Sequence, residues 1–223
     1  MAMQNIASLT CGYWNINGHR SKYLGDKLQD KEFLSIISNC DIIGLGEIHS
    51  EGNVDIEGYK RVKQKIRDKT FRGPKIAGGI GVFVRNEISH LVELVPNTCE
   101  DSIWIKIKGD EIYVGTYYVS PSNSNTNSDF LNSINDEICK FSNKGIAVIQ
   151  GDLNARTGTE NDYLDITYDD EDDPLGKEAG GNKPGRRNSE DKKLNVRGKE
   201  LLDVCKLNNF IIANGRKPGD IFW

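Results

Sequence analysis

No Cys-x-x-Cys pair occurs in the 223-residue chain, and its five cysteines (Cys11, Cys40, Cys99, Cys139 and Cys205) are scattered and odd in number. That pattern argues against both a disulfide framework and a thiolate zinc site, leaving the thiols as small buried hydrophobes of a reducing compartment. No run approaches the roughly 18 apolar residues that a membrane span requires. Residues Met1 to Leu9 have no basic region leading into an apolar stretch, so they do not read as a secretory signal. The expectation is a soluble, intracellular chain with no membrane partner. Internal repeats are absent, and histidine is limited to His19, His49 and His90. At 37% hydrophobic, the chain can bury one sizeable core, and residues 1–223 read as a single domain.

What is present is unevenly charged. The formal net charge is −4, yet Tyr59 to Lys75 carries eight basic residues (Lys60, Arg61, Lys63, Lys65, Arg67, Lys69, Arg72 and Lys75) against Asp68. A second basic cluster comprises Lys183, Arg186, Arg187, Lys192, Lys193, Arg197 and Lys199. Such clusters suit a phosphate backbone, and they also suit a solvated surface loop. Between them, Glu160 to Asp173 holds eight acids and no base. Residues 157–194 lack periodicity and include Gly180-Gly181-Asn182, so this acidic and basic insertion is expected to be disordered.

Short β-rich runs dominate the rest. Ser8–Trp14, Asp41–Glu47, Gly79–Arg85, Glu87–Val95, Ser102–Lys108, Glu111–Tyr118 and Gly145–Gln150 read as strands from their β-branched and aromatic content. Lys27–Ser38, Asp129–Phe141 and Val196–Leu207 read as helices; Phe130, Ile134, Ile138 and Phe141 form a core-facing stripe in the second. Strands alternate with helices in places and meander in others, which predicts a mixed, layered α/β domain.

Polar groups stand where several of these strands end. Asn15 and Asn17 follow the first, Glu47 closes the second, Tyr118 ends a third, and Asp152 and Asn154 follow Ile146 to Ile149. Each has a plain reading as a turn residue, an exposed charge or a packing ring. Together, at one sheet edge, they would supply two carboxylates, three carboxamides and a phenol, enough for a hard cation that keeps several waters.

In this order, Asn15-Ile16-Asn17-Gly18, Gly46-Glu47-Ile48-His49, Tyr118-Val119-Ser120-Pro121 and Gly151-Asp152-Leu153-Asn154 resemble the motif set of the endonuclease/exonuclease/phosphatase superfamily. The resemblance is greatest to the endonuclease domain of LINE-type (non-LTR) retrotransposons. It implies an α/β fold, a four-layer sandwich of two face-to-face sheets flanked by helices, and Mg²⁺-dependent cleavage of DNA, with Mn²⁺ as a substitute. Glu47 would be the main Mg²⁺ ligand, assisted by Asn17. Asp152 would orient the attacking water, Asn15 and Asn154 would hold the phosphate, and Tyr118 would contact its oxygens. Asn123, Arg156, Lys63, Lys65 and Arg72 are candidate DNA contacts. The resemblance also implies a nuclear location and a reverse transcriptase region in the parent polyprotein.

One departure stands out. Such domains close with a Ser/Thr-rich strand leading to an Asp, then a Ser-Asp-His; this sequence reaches Asp220-Ile221-Phe222-Trp223 before either. The expectation is a domain incomplete at its C-terminus, with weak or absent cleavage and a sheet edge open to self-association. Two other readings remain: another phosphodiesterase of the superfamily (abasic-site, RNA, nucleotide or lipid), and a catalytically dead module that binds nucleic acid or protein.

Overall fold

A computed structural model describes residues 8–23, 25–66, 78–121, 127–164 and 184–216. The chain divides into two compact units, Met1–Asn125 with Asp136–Leu153, and Thr126–Asn135 with Asn154–Trp223.

Among the described residues, the first unit holds all the strands. In chain order they are β1 (Cys11–Asn15), β2 (Arg20–Ser21), β3 (Gly25–Asp26), β4 (Ile42–Gly46), β5 (Tyr59–Lys65), β6 (Ile80–Arg85), β7 (Val92–Val95), β8 (Ser102–Ile107), β9 (Ile112–Tyr118) and β10 (Ile146–Asp152). One four-stranded sheet runs β1-β4-β6-β5 and another runs β10-β9-β8-β7, while β2 and β3 form a small hairpin. β1 lies parallel to β4 and β10 parallel to β9, so these four strands all carry loops at their C-terminal ends.

The period of two along each strand decides what packs where. Ile42, Ile80, Val82 and Val84 of the first sheet meet Ile103, Ile105, Ile107, Val114 and Tyr118 of the second in one core between the sheets. Alternate residues Ile43, Leu45 and Phe83 point outward and pack against Phe33 and Ile37 of α1 (Lys31–Ile37). On the far face, Trp104 stacks on Phe141 of α2 (Asn127–Ser142), ring centroids 4.2 Å apart. Burying each of these large side chains contributes roughly 1.5 to 3 kcal/mol.

Three local readings need correction. The basic stretch does not begin as a loop: Tyr59–Lys65 is edge strand β5, paired antiparallel with β6 through a register shift between Arg61 and Lys63. It half-buries Tyr59 and Val62 while turning Lys60 and Lys63 to water, the way sheet edges are commonly protected. Second, Asn86–Leu91 is a 3₁₀ turn that delays the expected strand to Val92, so His90 lies outside any strand. Asn and Glu favour neither pleat nor ladder. Third, helix α1 starts only at Lys31, because the Asp30 carboxylate caps it by accepting from the amides of Glu32 and Phe33.

The second unit contains α3 (Val196–Asn208), capped by Asn195, whose side-chain oxygen accepts from Gly198 N at 2.7 Å. The flanks of the expected disordered stretch are structured here. Thr157 bridges Leu194, and the buried Arg187 guanidinium donates to Thr157 Oγ1 at 2.8 Å and Glu160 O at 2.7 Å. Residues 165–183 lie outside the described residues. Asp162 is fully buried and takes a two-pronged ion pair from Arg216 plus the Ile212 amide.

Among the described residues no helix is long and apolar enough to cross a membrane. The cysteines are free; Cys99 and Cys205 are buried as expected, whereas Cys139 is exposed.

Candidate active site

β1 and β4 end side by side in one sheet, β9 and β10 in the other, and two hydrogen bonds join these ends across the gap. Asn15 Nδ2 donates to Asp152 Oδ2 at 3.0 Å. Tyr118 Oη donates to Glu47 Oε1 at 2.8 Å. Asn15, Glu47, Tyr118 and Asp152, separated by up to 137 positions in sequence, are thus gathered into one polar cluster within the first unit.

The loops that carry these groups are tied to one another. Gly18 N donates to Glu47 O at 2.6 Å and His19 N to Ile48 O at 2.9 Å, which binds the loop after β1 to the loop after β4. Asn15 Oδ1 accepts from Asn17 N, shaping an Asx turn. Lys27 Nζ reaches back to Ile16 O at 2.6 Å and Asn17 O at 3.3 Å. Asn17 itself is exposed. His49 Nε2 lies 3.8 Å from Glu47 Oε2, beyond a hydrogen bond. Burial, reinforced by Lys27 and His19, holds the His49 imidazole below its ordinary range against the pull of Glu47, so it is neutral near pH 7.

Backbone strain concentrates here. Asn17, Glu47 and His49 all have positive φ, at 44°, 52° and 51°. Asn tolerates this region, but Glu and His do so at a cost of order 1 kcal/mol each. Such outliers cluster at functional sites.

The remaining candidates fall elsewhere. Asn154 opens the second unit, where its carbonyl accepts from Asn195 Nδ2 at 3.1 Å. Arg156, in the same unit, is exposed and pairs with Asp191 at 3.4 Å. Lys63 is exposed on β5, but Lys65 is half-buried with its ammonium donating to Cys99 O at 2.9 Å. Lys65 is therefore a structural tie and not a free cation. Asn123 and Arg72 lie outside the described residues.

A model of one protein family, the Endonuclease/Exonuclease/phosphatase family, matches residues 12–187. The chain belongs to this family. No curated protein matches it. Among solved structures it is similar to the endonuclease domain of TRAS1, a telomere-specific non-LTR retrotransposon, at 16% identity and TM-score 0.47, covering 86% of this chain and 68% of that one. It is also similar to the 3′ phosphatase NExo from Neisseria bound to a product DNA hairpin, at 13% identity and TM-score 0.48, covering 88% and 71%. An AP endonuclease from Archaeoglobus fulgidus matches at 19% identity and TM-score 0.41, covering 70% and 62%. The chain thus spans about three fifths of the length of that last structure.

For this family member, reading the sequence alone misses two groups around the site. Lys27 had no signal, since a lysine at a helix start is commonplace. Tyr13 had one: β4, an otherwise apolar buried strand, reads Ile-Ile-Gly-Leu-Gly, and glycine inside a buried strand marks a close approach.

Proposed function

We propose that the chain is a Mg²⁺-dependent phosphodiesterase acting on DNA, an endonuclease of LINE retrotransposon type. The observation that carries this reading is the pair of cross-sheet hydrogen bonds, Asn15 to Asp152 and Tyr118 to Glu47, which collects the motif residues of four strands into one cluster.

The donor set suits a hard cation. Among the described residues no three His, Cys, Asp or Glu side chains gather at one point; on the roles that the family resemblance implies, an ion would rest on Glu47, the Asn17 amide oxygen and water. Mg²⁺ is bound in this way, through one or two carboxylates and several retained waters. When bound, it would polarise the phosphoryl oxygens and offset the charge that develops on them.

The chain's own groups do the rest. Asp152, braced by Asn15, orients and deprotonates the attacking water. Tyr118 donates its one phenol proton to Glu47 and would turn it to a phosphoryl oxygen when substrate binds, and the Asn15 carboxamide favours the growing negative charge. The neutral imidazole of His49 stands behind Glu47 as support. Exposed Arg20, Lys22 and Tyr23, on the hairpin that follows Asn17, give DNA a basic and aromatic neighbour to the cluster. A LINE-type origin would place the domain beside a reverse transcriptase and in the nucleus.

Nicking of supercoiled plasmid tests this. The expected result is nicking that is weak, needs Mg²⁺ or Mn²⁺ and disappears in both Glu47→Ala and Asp152→Ala. Nicking that survives both substitutions, or that proceeds equally in chelator, would sink the assignment.

A further inference from the structure

The site has a floor made by a residue that the proposed chemistry leaves unused. The positions of β4 that face the other sheet are Ile42, Gly44 and Gly46. Neither glycine has a positive φ, so backbone conformation does not require glycine at either place. Space does. Tyr13, the β1 partner of Gly44 in the ladder, lays its ring over both. A Cβ on Gly44 would stand 3.0 Å from Tyr13 Cδ2 and 2.5 Å from Thr116 Cγ2. A Cβ on Gly46 would collide with the Tyr13 hydroxyl, and would stand 2.8 Å from its Cζ and 3.3 Å from Tyr118 Cδ2. Two glycines in a buried strand weaken it by roughly 0.5 to 1 kcal/mol each, and what they create is a slot for one tyrosine.

The slot delivers the hydroxyl to the catalytic cluster. Tyr13 Oη is buried on the strand face it shares with Asn15, the partner of Asp152; the Asp152 backbone lies near it, but it makes no hydrogen bond of ordinary geometry. A buried hydroxyl without a partner is a standing penalty that phenylalanine would avoid with the same ring. Burial first, then the Asp152 carboxylate and the Tyr118 phenol, push the Tyr13 phenol upward against the pull of the Asp152 backbone, so its proton stays on at any working pH. The group is a permanent donor facing a cluster rich in acceptors.

We propose that Tyr13 is a positioning residue of this site, seated in the slot of Gly44 and Gly46 so that its hydroxyl proton serves the Asp152 carboxylate. Asn15 fixes one side of that carboxylate and Tyr13 supports it from below. Hydrogen bonds of this kind are often long or misaligned before substrate arrives and tighten in the loaded enzyme. The proposal rests on the role given to Asp152 above, and the experiment separates the two.

Tyr13→Phe keeps the ring and removes the hydroxyl. Its thermal midpoint should equal or exceed that of the wild type, while kcat for plasmid nicking falls about three- to tenfold, the weight of one neutral hydrogen bond, with KM unchanged. A second measurement needs no activity. The Tyr13 hydroxyl proton, identified by its loss in Tyr13→Phe, should give a nuclear magnetic resonance signal that moves upfield in Asp152→Ala. A third concerns the slot: Gly46→Ala should lower the thermal midpoint of the wild type, and lower it far less in a Tyr13→Ala background. Tyr13→Phe nicking as fast as wild type, together with a hydroxyl signal indifferent to Asp152→Ala, would overturn the proposal and leave the nuclease reading standing. Absence of Glu47-dependent nicking in the wild type would remove that reading, and the hydroxyl signal would still decide the role of Tyr13.

Discussion

Replacing Glu137 by glutamine should destabilise the first unit severely, although the two side chains have almost the same shape. Glu137 lies on α2, only 2% exposed, beneath the outer face of the second sheet. Its Oε1 accepts from Asn97 Nδ2 at 3.1 Å, Thr98 N at 3.2 Å and Cys99 N at 3.0 Å. Its Oε2 accepts from Ser102 Oγ at 2.8 Å, Trp104 Nε1 at 2.8 Å and Tyr117 Oη at 2.7 Å. Six donors converge on one carboxylate. Burial alone would push its pKa up, but these donors, Tyr117 foremost, hold it below the ordinary glutamate range.

A carboxamide cannot satisfy that arrangement. With its oxygen toward Thr98 and Cys99, its NH₂ faces Ser102, Tyr117 and Trp104. Ser102 can turn to accept, and Trp104 can fall back on Tyr117 Oη at 3.1 Å, but the Tyr117 proton is then stranded. Turning the amide over sets its NH₂ against backbone amides, which is worse. Stranding one buried donor costs about 1 to 3 kcal/mol, and the surviving bonds lose their charge assistance, so the net loss is about 3 kcal/mol. For a chain of this size that is a midpoint roughly 6 to 12 °C lower. Thermal denaturation followed by circular dichroism at pH 7 checks it. The effect also has a sign in pH. A carboxylate whose folded pKa is depressed contributes stability above its unfolded value, about 4.3, and loses it as pH falls through the folded value. The gap between wild type and Glu137→Gln should therefore be wide at pH 7, begin to narrow near the unfolded value and close only as pH falls through the depressed folded value. A variant as stable as wild type at pH 7 would refute the reasoning.

Three further outcomes are expected. Arg216→Ala leaves the fully buried Asp162 carboxylate without its bidentate partner, and should cost the second unit about 3 to 5 kcal/mol in urea denaturation. Lys63→Ala should flatten the salt dependence of DNA binding by roughly one phosphate contact, whereas Lys65→Ala should leave that slope alone and lower stability by about 1 kcal/mol, its ammonium being held by Cys99 O; equal slopes for the two variants would contradict the assignment. Glu47→Gly should abolish nicking and yet stabilise the fold by about 0.5 to 1 kcal/mol, because φ of 52° suits glycine and strains glutamate; a lower thermal midpoint would show that the strain is overstated.

Elements with a clean hydrophobic signature were legible in the sequence, and elements defined by their position in the fold were not. β4 is buried along its whole length and reads as an apolar run, whereas β8 alternates in sequence like a half-buried strand and yet is buried on both faces at all but Lys106, because α2 covers Trp104 on its outer side. β5 escaped because this edge strand half-buries most of its residues but fully buries none, and its lysines and arginines look like a solvated loop. Glu137 escaped for the opposite reason. Helical spacing puts it beside Ile134 and Phe141 on the core face of α2, but a glutamate there reads as solvent-facing unless the six donors awaiting it are known. Those donors come from residues 97–117, and no local pattern announces them.

The candidate site divides along a similar line. Asn15, Glu47, Tyr118 and Asp152 were legible because each closes a strand, and parallel strands carry their ends to one edge. What could not be read was the direction in which each side chain leaves that edge. Gly46 faces the opposing sheet, so a strict pleat would send Glu47 outward, away from Tyr118. The positive φ of Glu47 reverses that step, and its carboxylate accepts the Tyr118 hydroxyl. Gly46, for its part, has no side chain because Tyr13 occupies the space. Neighbouring positions thus carry two different devices, a strained backbone that turns a carboxylate inward and a missing side chain that admits a phenol beneath it. Sequence motifs report which residues stand at a strand end; the handedness of the turn and the volume beside it decide whether those residues meet.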